Sequence, residues 1–167
     1  QGVMGKYFAL SQGFEEDIAS SISEHYLPTG LTSLLPKKSI SYSISIVDKV
    51  DSLVGFFLIN EKPTSSKDPF ALRRAAIGIL RIIIENKLSI NLRELISYSI
   101  KLYEEQGVMF ENEKTEIEIL DFLKERMRNI LKLKNVKGDI IEASISSHSG
   151  DNYLDLYKKN ILMNKYI

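Results

Sequence analysis

Apolar residues recur at three- and four-residue steps along nearly the whole chain, the spacing that turns one face of an α-helix toward a core. Val3, Tyr7 and Leu10 mark a first short helix that closes near Gly13. Phe14, Ile18, Ile22 and Tyr26 mark a second, which ends at Pro28. Its first turn holds Glu15, Glu16 and Asp17, where the helix dipole favours anions. The stretch TGLTSLLPKK is then a loop punctuated by Gly30 and Pro36.

A third helix is predicted from about Ile40 to Ile59. Its segment SISYSISIV also alternates with period two, so a strand competes there. The helical spacing that continues through VDKVDSLVGFFLI decides for a helix. After the loop NEKPTSSKD, Asp68 suits an N-cap, and Pro69 suits the first helical position, where no N–H is needed. This fourth helix, PFALRRAAIGILRIIIEN, is apolar around most of its circumference and belongs at the centre of the core.

A break at 89–91 follows, and Asn91 with Glu94 has capping-box spacing. Leu92, Leu95, Ile96, Ser99, Leu102 and Tyr103 give a fifth helix, stopped at Gly107. A sixth runs roughly from Glu113 to Leu133, with Ile117, Leu120, Leu123, Met127, Ile130 and Leu131 inward, and two shorter helices cover 136–147 and 151–166. The expected fold is all-α: a helical domain over 1–88 and a smaller helical region over 89–167, with the boundary near 88–91.

Composition agrees, since only 9 Gly and 4 Pro occur in 167 residues, and 44% apolar content allows a buried core. No run approaches the ~18 apolar residues of a membrane-spanning helix. The N-terminus has one Lys before its apolar residues and then turns acidic, unlike a signal or transit peptide. The absence of Cys removes disulfides, thiolate metal sites and Cys nucleophiles, and suits a cytoplasmic protein. Because the chain opens on Gln1 with an apolar pattern already under way, a trimmed chain is expected. With 22 basic and 22 acidic residues, any surface for nucleic acid must be local.

Four features carry possible chemistry. In VDKVDSL, a helical wheel puts Asp51 among Ile40, Ile44, Val47, Val54 and Leu58, with Asp48 at the edge beside Ser41, Ser45 and Ser52. A carboxylate there is costly unless it binds metal or pairs with a cation such as Arg73 or Arg74; the paired, structural reading is preferred. His25, in SEHYLP, suits a helix C-terminus, and no converging ligands mark it for metal; His148 lies in a polar loop. From Lys62 to Lys87, six basic residues face two acidic ones, and Arg74 and Arg81 share a helix face, which makes either a phosphate-tracking ridge or a solvated edge. The sixth helix is acidic from Glu111 to Glu125 and then basic through Arg126, Arg128, Lys132 and Lys134, which complements the helix dipole as a solvated face. No Walker loop, Rossmann fingerprint, HExxH or GxSxG is present.

The strings QGVMGKYFAL, EHYLP, DKVDSLVGFF and above all KDPFALRRAAIGILRIIIE resemble the β subunit of bacterial glycyl-tRNA synthetase, most clearly over residues 1–105. The resemblance implies a heterotetramer of two α and two β subunits that joins glycine to tRNA(Gly) in the cytoplasm. It places ATP, Mg and glycine on the α subunit and tRNA binding chiefly on β. This chain then corresponds to an internal piece with an HD-like helical domain, non-catalytic alone, without catalytic or metal residues and without a cofactor of its own. An anticodon-binding domain is expected beyond Ile167. The implied partners are tRNA(Gly) and the α subunit, with no membrane. Asp48 looks like the later Asp of HD-type phosphohydrolases, but the chain has no His-Asp dipeptide, which counts against metal binding. The tRNA-contacting residues expected from charge and family together are Lys67, Arg73, Arg74 and Arg81. A metal-dependent phosphohydrolase using Asp48 and His25, or a purely structural docking module, are the alternatives.

Overall fold

A computed structural model of the chain describes residues 2–64, 66–108 and 114–166. Among them lie eight helices and no strand: α1 (Gly2–Ser11), α2 (Glu16–Glu24), α3 (Ser39–Leu58), α4 (Leu72–Glu85), α5 (Leu92–Glu105), α6 (Thr115–Leu133), α7 (Gly138–Ser146) and α8 (Tyr153–Tyr166). The fold is all-α, and SISYSISIV is helix throughout. The start expected for the sixth helix at Glu113, and the opening of its acidic run at Glu111, lie outside the described residues.

Helix α4 is the axle. Leu72, Ala76, Ile79, Leu80, Ile82 and Ile83 are buried on it, and it packs against α3, α6 and α8. One apolar cluster runs from Ile46 to Leu156 and takes side chains from α3 through α8. Arg93 ties the second half together by donating to Glu116 at 2.5 Å and to the Ser149 carbonyl at 2.6 Å. At the start of α5, the Asn91 side chain accepts from the Glu94 N–H, as the spacing predicts.

Three sequence expectations need correction. Pro69 does not open α4. Residues 69–70 form a turn and Ala71 adopts a left-handed backbone (φ 58°), so the helix begins at Leu72. Asp68 still caps it from one turn away, its two carboxylate oxygens accepting from Leu72 N at 2.8 Å and Arg73 N at 3.0 Å. On α3 the buried face is Ser41, Ser45, Lys49, Leu53 and their neighbours, while Ile44, Val47, Asp48 and Asp51 are exposed. The wheel failed because α3 packs against α2, α4, α5 and α6, and its polar Ser45 and Lys49 are buried by bonding the end of α2. On α6, Ile117 is exposed although Leu120, Leu123, Met127, Ile130 and Leu131 are buried.

Candidate functional site

The cations between Lys62 and Lys87 meet different fates. Lys62 pairs with Glu118 at 2.7 Å. Arg81 is 12% exposed and donates to the carbonyls of Gly30 at 2.6 Å and Ser33 at 2.9 Å. Its Nε also reaches Glu85 at 3.1 Å. Arg81 is therefore a clamp for the loop between α2 and α3, with Nη1 turned onto the loop carbonyls. Arg73 is half-buried, and its guanidinium donates to the Thr64 carbonyl.

Lys67 and Arg74 are exposed and join no ion pair among the described residues. Asp68, between them in sequence, has both oxygens engaged by backbone N–H groups at the head of α4. Arg126 of α6 comes to the same edge, with its guanidinium 4.8 Å from the Phe122 ring. Burial and then the nearby Arg73 hold the Arg126 guanidinium below its ordinary range. Its Nε is buried without a hydrogen-bond partner among the described residues. The head of α4 thus brings Arg73 and Arg126 near Asp68, which is already capping a helix, with Lys67 and Arg74 flanking it in sequence; Glu125 also acts on Arg126, and Asp48 shares the cleft of Arg74. Sequence reasoning missed Arg126, which it placed on a solvated face. Its signal was Phe122 four residues earlier, a ring on the same face of the helix.

Beside this edge a shallow cleft of about 300 Å³ runs between α3 and α4, lined by Tyr26, Asp48, Lys49, Phe70 and Arg74 among others. Phe70 is fixed there by stacking on Phe56 at 3.9 Å. Asp48 and Arg74 share the cleft without forming an ion pair. Asp51 instead accepts from the Tyr103 hydroxyl; burial first, and then this bond, raise the Tyr103 phenol above its ordinary value.

The floor of the cleft is Lys49, which sequence reasoning passed over. It is buried, and its ammonium donates to His25 O at 2.9 Å, Leu27 O at 3.1 Å and Ser45 Oγ at 2.9 Å. Burial lowers its pKa. The buried charge on α3 is thus a cation that closes the end of α2. His25 is the residue that follows α2, as its position predicts, and its ring lies 4.1 Å from Tyr26. Among the described residues, no group of three or more His, Asp or Glu converges as a metal site would require.

The family model described as "Glycyl-tRNA synthetase beta subunit" matches residues 1–146. The chain is 44% identical over 146 residues to the glycine–tRNA ligase beta subunit of Colwellia psychrerythraea, covering 87% of this chain and 21% of that protein. It is 36% identical over 167 residues to that of Clostridioides difficile, covering 100% of this chain and 24% of that protein. It is 50% identical over 103 residues to that of Rickettsia felis, covering 62% of this chain and 15% of that protein. The chain spans between 15% and 24% of the length of these relatives. By this match the chain belongs to the glycyl-tRNA synthetase beta subunit family.

Proposed function

We propose that the chain serves, within a complete glycine–tRNA ligase β subunit, as a helical scaffold that holds the tRNA backbone against the head of α4. In this reading the enzyme charges tRNA(Gly) with glycine in the cytoplasm, and the ATP- and Mg-dependent adenylation belongs to the α subunit. The observation that carries the reading is the set of cations at the head of α4, where Asp68 is already engaged by backbone N–H groups and Lys67 and Arg74 are exposed and join no ion pair among the described residues. Arginine and lysine so placed attract phosphate oxygens, and the planar arginine fork donates two hydrogen bonds at once. Such interactions position RNA without reading its sequence.

Arg81 leaves the expected RNA-binding set, because its Nη1 donates to the Gly30 and Ser33 carbonyls and its Nε and Nη2 face Glu85. Arg126 takes its place. Ultraviolet crosslinking of the full enzyme to tRNA(Gly), followed by peptide mapping, tests the reading. Crosslinked peptides containing 67–74 or Arg126 support it; crosslinks confined to other parts of the enzyme overturn it.

A further inference from the structure

The cleft between α3 and α4 is lined by groups of three different kinds. Tyr26 and Phe70 bring aromatic rings that are 47% and 42% exposed. Phe70 is stacked on Phe56, so its ring is held in place before any ligand arrives. Arg74 brings an exposed guanidinium from the first turn of α4. Asp48 brings an exposed carboxylate from α3, and it joins no ion pair among the described residues. The Lys49 ammonium on the floor does not take it up, because its hydrogen bonds go to His25 O, Leu27 O and Ser45 Oγ.

A phosphate alone accounts for Arg74 and leaves the other groups without a use. A carboxylate repels a phosphodiester, and an aromatic ring offers it no donor. One nucleotide outside a duplex satisfies all three kinds of group. Its base stacks on an aromatic ring, its 2′-hydroxyl donates to a carboxylate, and its phosphate accepts from a guanidinium. A base inside a duplex is stacked on its neighbours and has no free face for a ring. The cleft, at about 300 Å³, stands at the lower end of the ~300–1,000 Å³ of small-ligand clefts, which suits a single nucleotide.

We infer that this cleft holds one unpaired ribonucleotide of the bound RNA, with its base on Phe70, its ribose hydroxyl on Asp48 and its phosphate on Arg74. The inference rests on RNA binding at the head of α4 and adds to it a demand for an unpaired nucleotide that carries a 2′-hydroxyl. Asp48 and Phe70 thereby become RNA-binding residues, although neither is a cation.

The test measures tRNA(Gly) affinity against salt concentration for the complete enzyme and for its Asp48→Ala, Phe70→Leu and Lys67→Ala/Arg74→Ala variants, with a melting curve for each. Asp48→Ala decides most sharply, because the two readings give opposite signs. If this edge binds phosphate only, removing a negative charge beside Arg74 strengthens binding of a polyanion. If Asp48 holds a ribose hydroxyl, the same change weakens it. The expected result is a loss of about 3- to 10-fold for Asp48→Ala, the size of one hydrogen bond. Phe70→Leu should lose about 5- to 10-fold, toward the low end of one base–aromatic stack. Its salt slope should stay that of the wild type, since no phosphate partner is removed. Asp48 is exposed, so its variant keeps the test open even where Phe70→Leu loosens the stack on Phe56. Unchanged or tighter binding by Asp48→Ala overturns the inference, and so does a folded Phe70→Leu that binds like the wild type. In either case a shallower slope for Lys67→Ala/Arg74→Ala leaves the phosphate edge standing, whereas a wild-type affinity and slope there removes both.

Discussion

The ammonium of Lys49 donates to the backbone carbonyl of His25 at 2.9 Å, so a buried cation on α3 closes the end of α2. The same nitrogen reaches Leu27 O and Ser45 Oγ, and Ser45 itself donates to Leu27 O at 2.6 Å. Helix α4 accommodates the Lys49 stem through Gly78, where an added Cβ would lie 2.9 Å from Lys49 Cε and 3.1 Å from Cδ. This junction seats the floor of the cleft beside the basic edge.

Lys49→Met keeps the stem and removes the donors, and should destabilise the protein by about 1–3 kcal/mol, the cost of a buried acceptor left unmatched. Gly78→Ala should cost about 1–3 kcal/mol by overpacking. In a Lys49→Ala background the added methyl has room, so most of that penalty should disappear. Chemical denaturation of the four species in a double-mutant cycle measures the coupling. Additive effects would show that Gly78 and Lys49 do not share this space.

Arg81 holds the loop between α2 and α3 through two carbonyls. Arg81→Ala should cost on the order of 2 kcal/mol through the abandoned Gly30 and Ser33 acceptors, and should open 29–36 to proteolysis. Arg81→Lys should recover only part of this, since one ammonium cannot keep both the carbonyl bonds of Nη1 and the Glu85 contacts of Nε and Nη2. Limited proteolysis and denaturant melts check the pair. A variant that melts and resists protease like the wild type would remove the clamp.

What the chain made legible was periodicity and end signals: the eight helices, the Asn91 cap and the inward positions of α6 from Leu120 onward follow from spacing. Faces were harder to read. On α3 the apolar stripe containing Ile44 and Val47 looked like the core side, yet buried Ser41, Ser45 and Lys49 make close polar joints with the end of α2. On α1 the small residues face inward and the large ones outward, an inversion that only the packing against α2 reveals. At the candidate site, the clustering of Lys67, Arg73 and Arg74 was visible in the sequence. That Arg81 turns inward and Arg126 approaches from α6 depends on partners 48 to 51 residues away or on another helix, and no local pattern encodes that.

His148 supplies a pH dependence. Its ring stands 5.0 Å from Tyr153, its Nε2 is buried without a hydrogen-bond partner among the described residues, and Lys124, Asp151 and Lys159 act on it electrostatically. Burial, and then Lys124, lower its pKa below the ordinary 6.5. As pH falls from 6.5 the unfolded chain therefore takes up the proton first, and stability drops until the folded-state pKa is passed. Thermal melts at pH 7.5 and pH 5.5, ~1 unit to either side of the ordinary histidine pKa, should show a fall in Tm that is smaller in His148→Gln. Equal falls in both proteins would exclude His148 as a source.

The proposed RNA binding at the head of α4 rests on Lys67 and Arg74, exposed cations there that form no ion pair among the described residues. The decisive measurement is tRNA(Gly) affinity against salt concentration, for the complete enzyme and its Lys67→Ala/Arg74→Ala variant, with a melting curve confirming that the variant is folded. Each cation that no longer neutralises a phosphate should flatten the slope of log K against log salt by about 0.7–0.9. The double variant should therefore show a slope shallower by about 1.5 units, weaker binding at low salt for any tRNA sequence, and unchanged adenylate formation. A folded variant that binds tRNA with the wild-type affinity and the wild-type slope would show that these two side chains do not hold RNA phosphate.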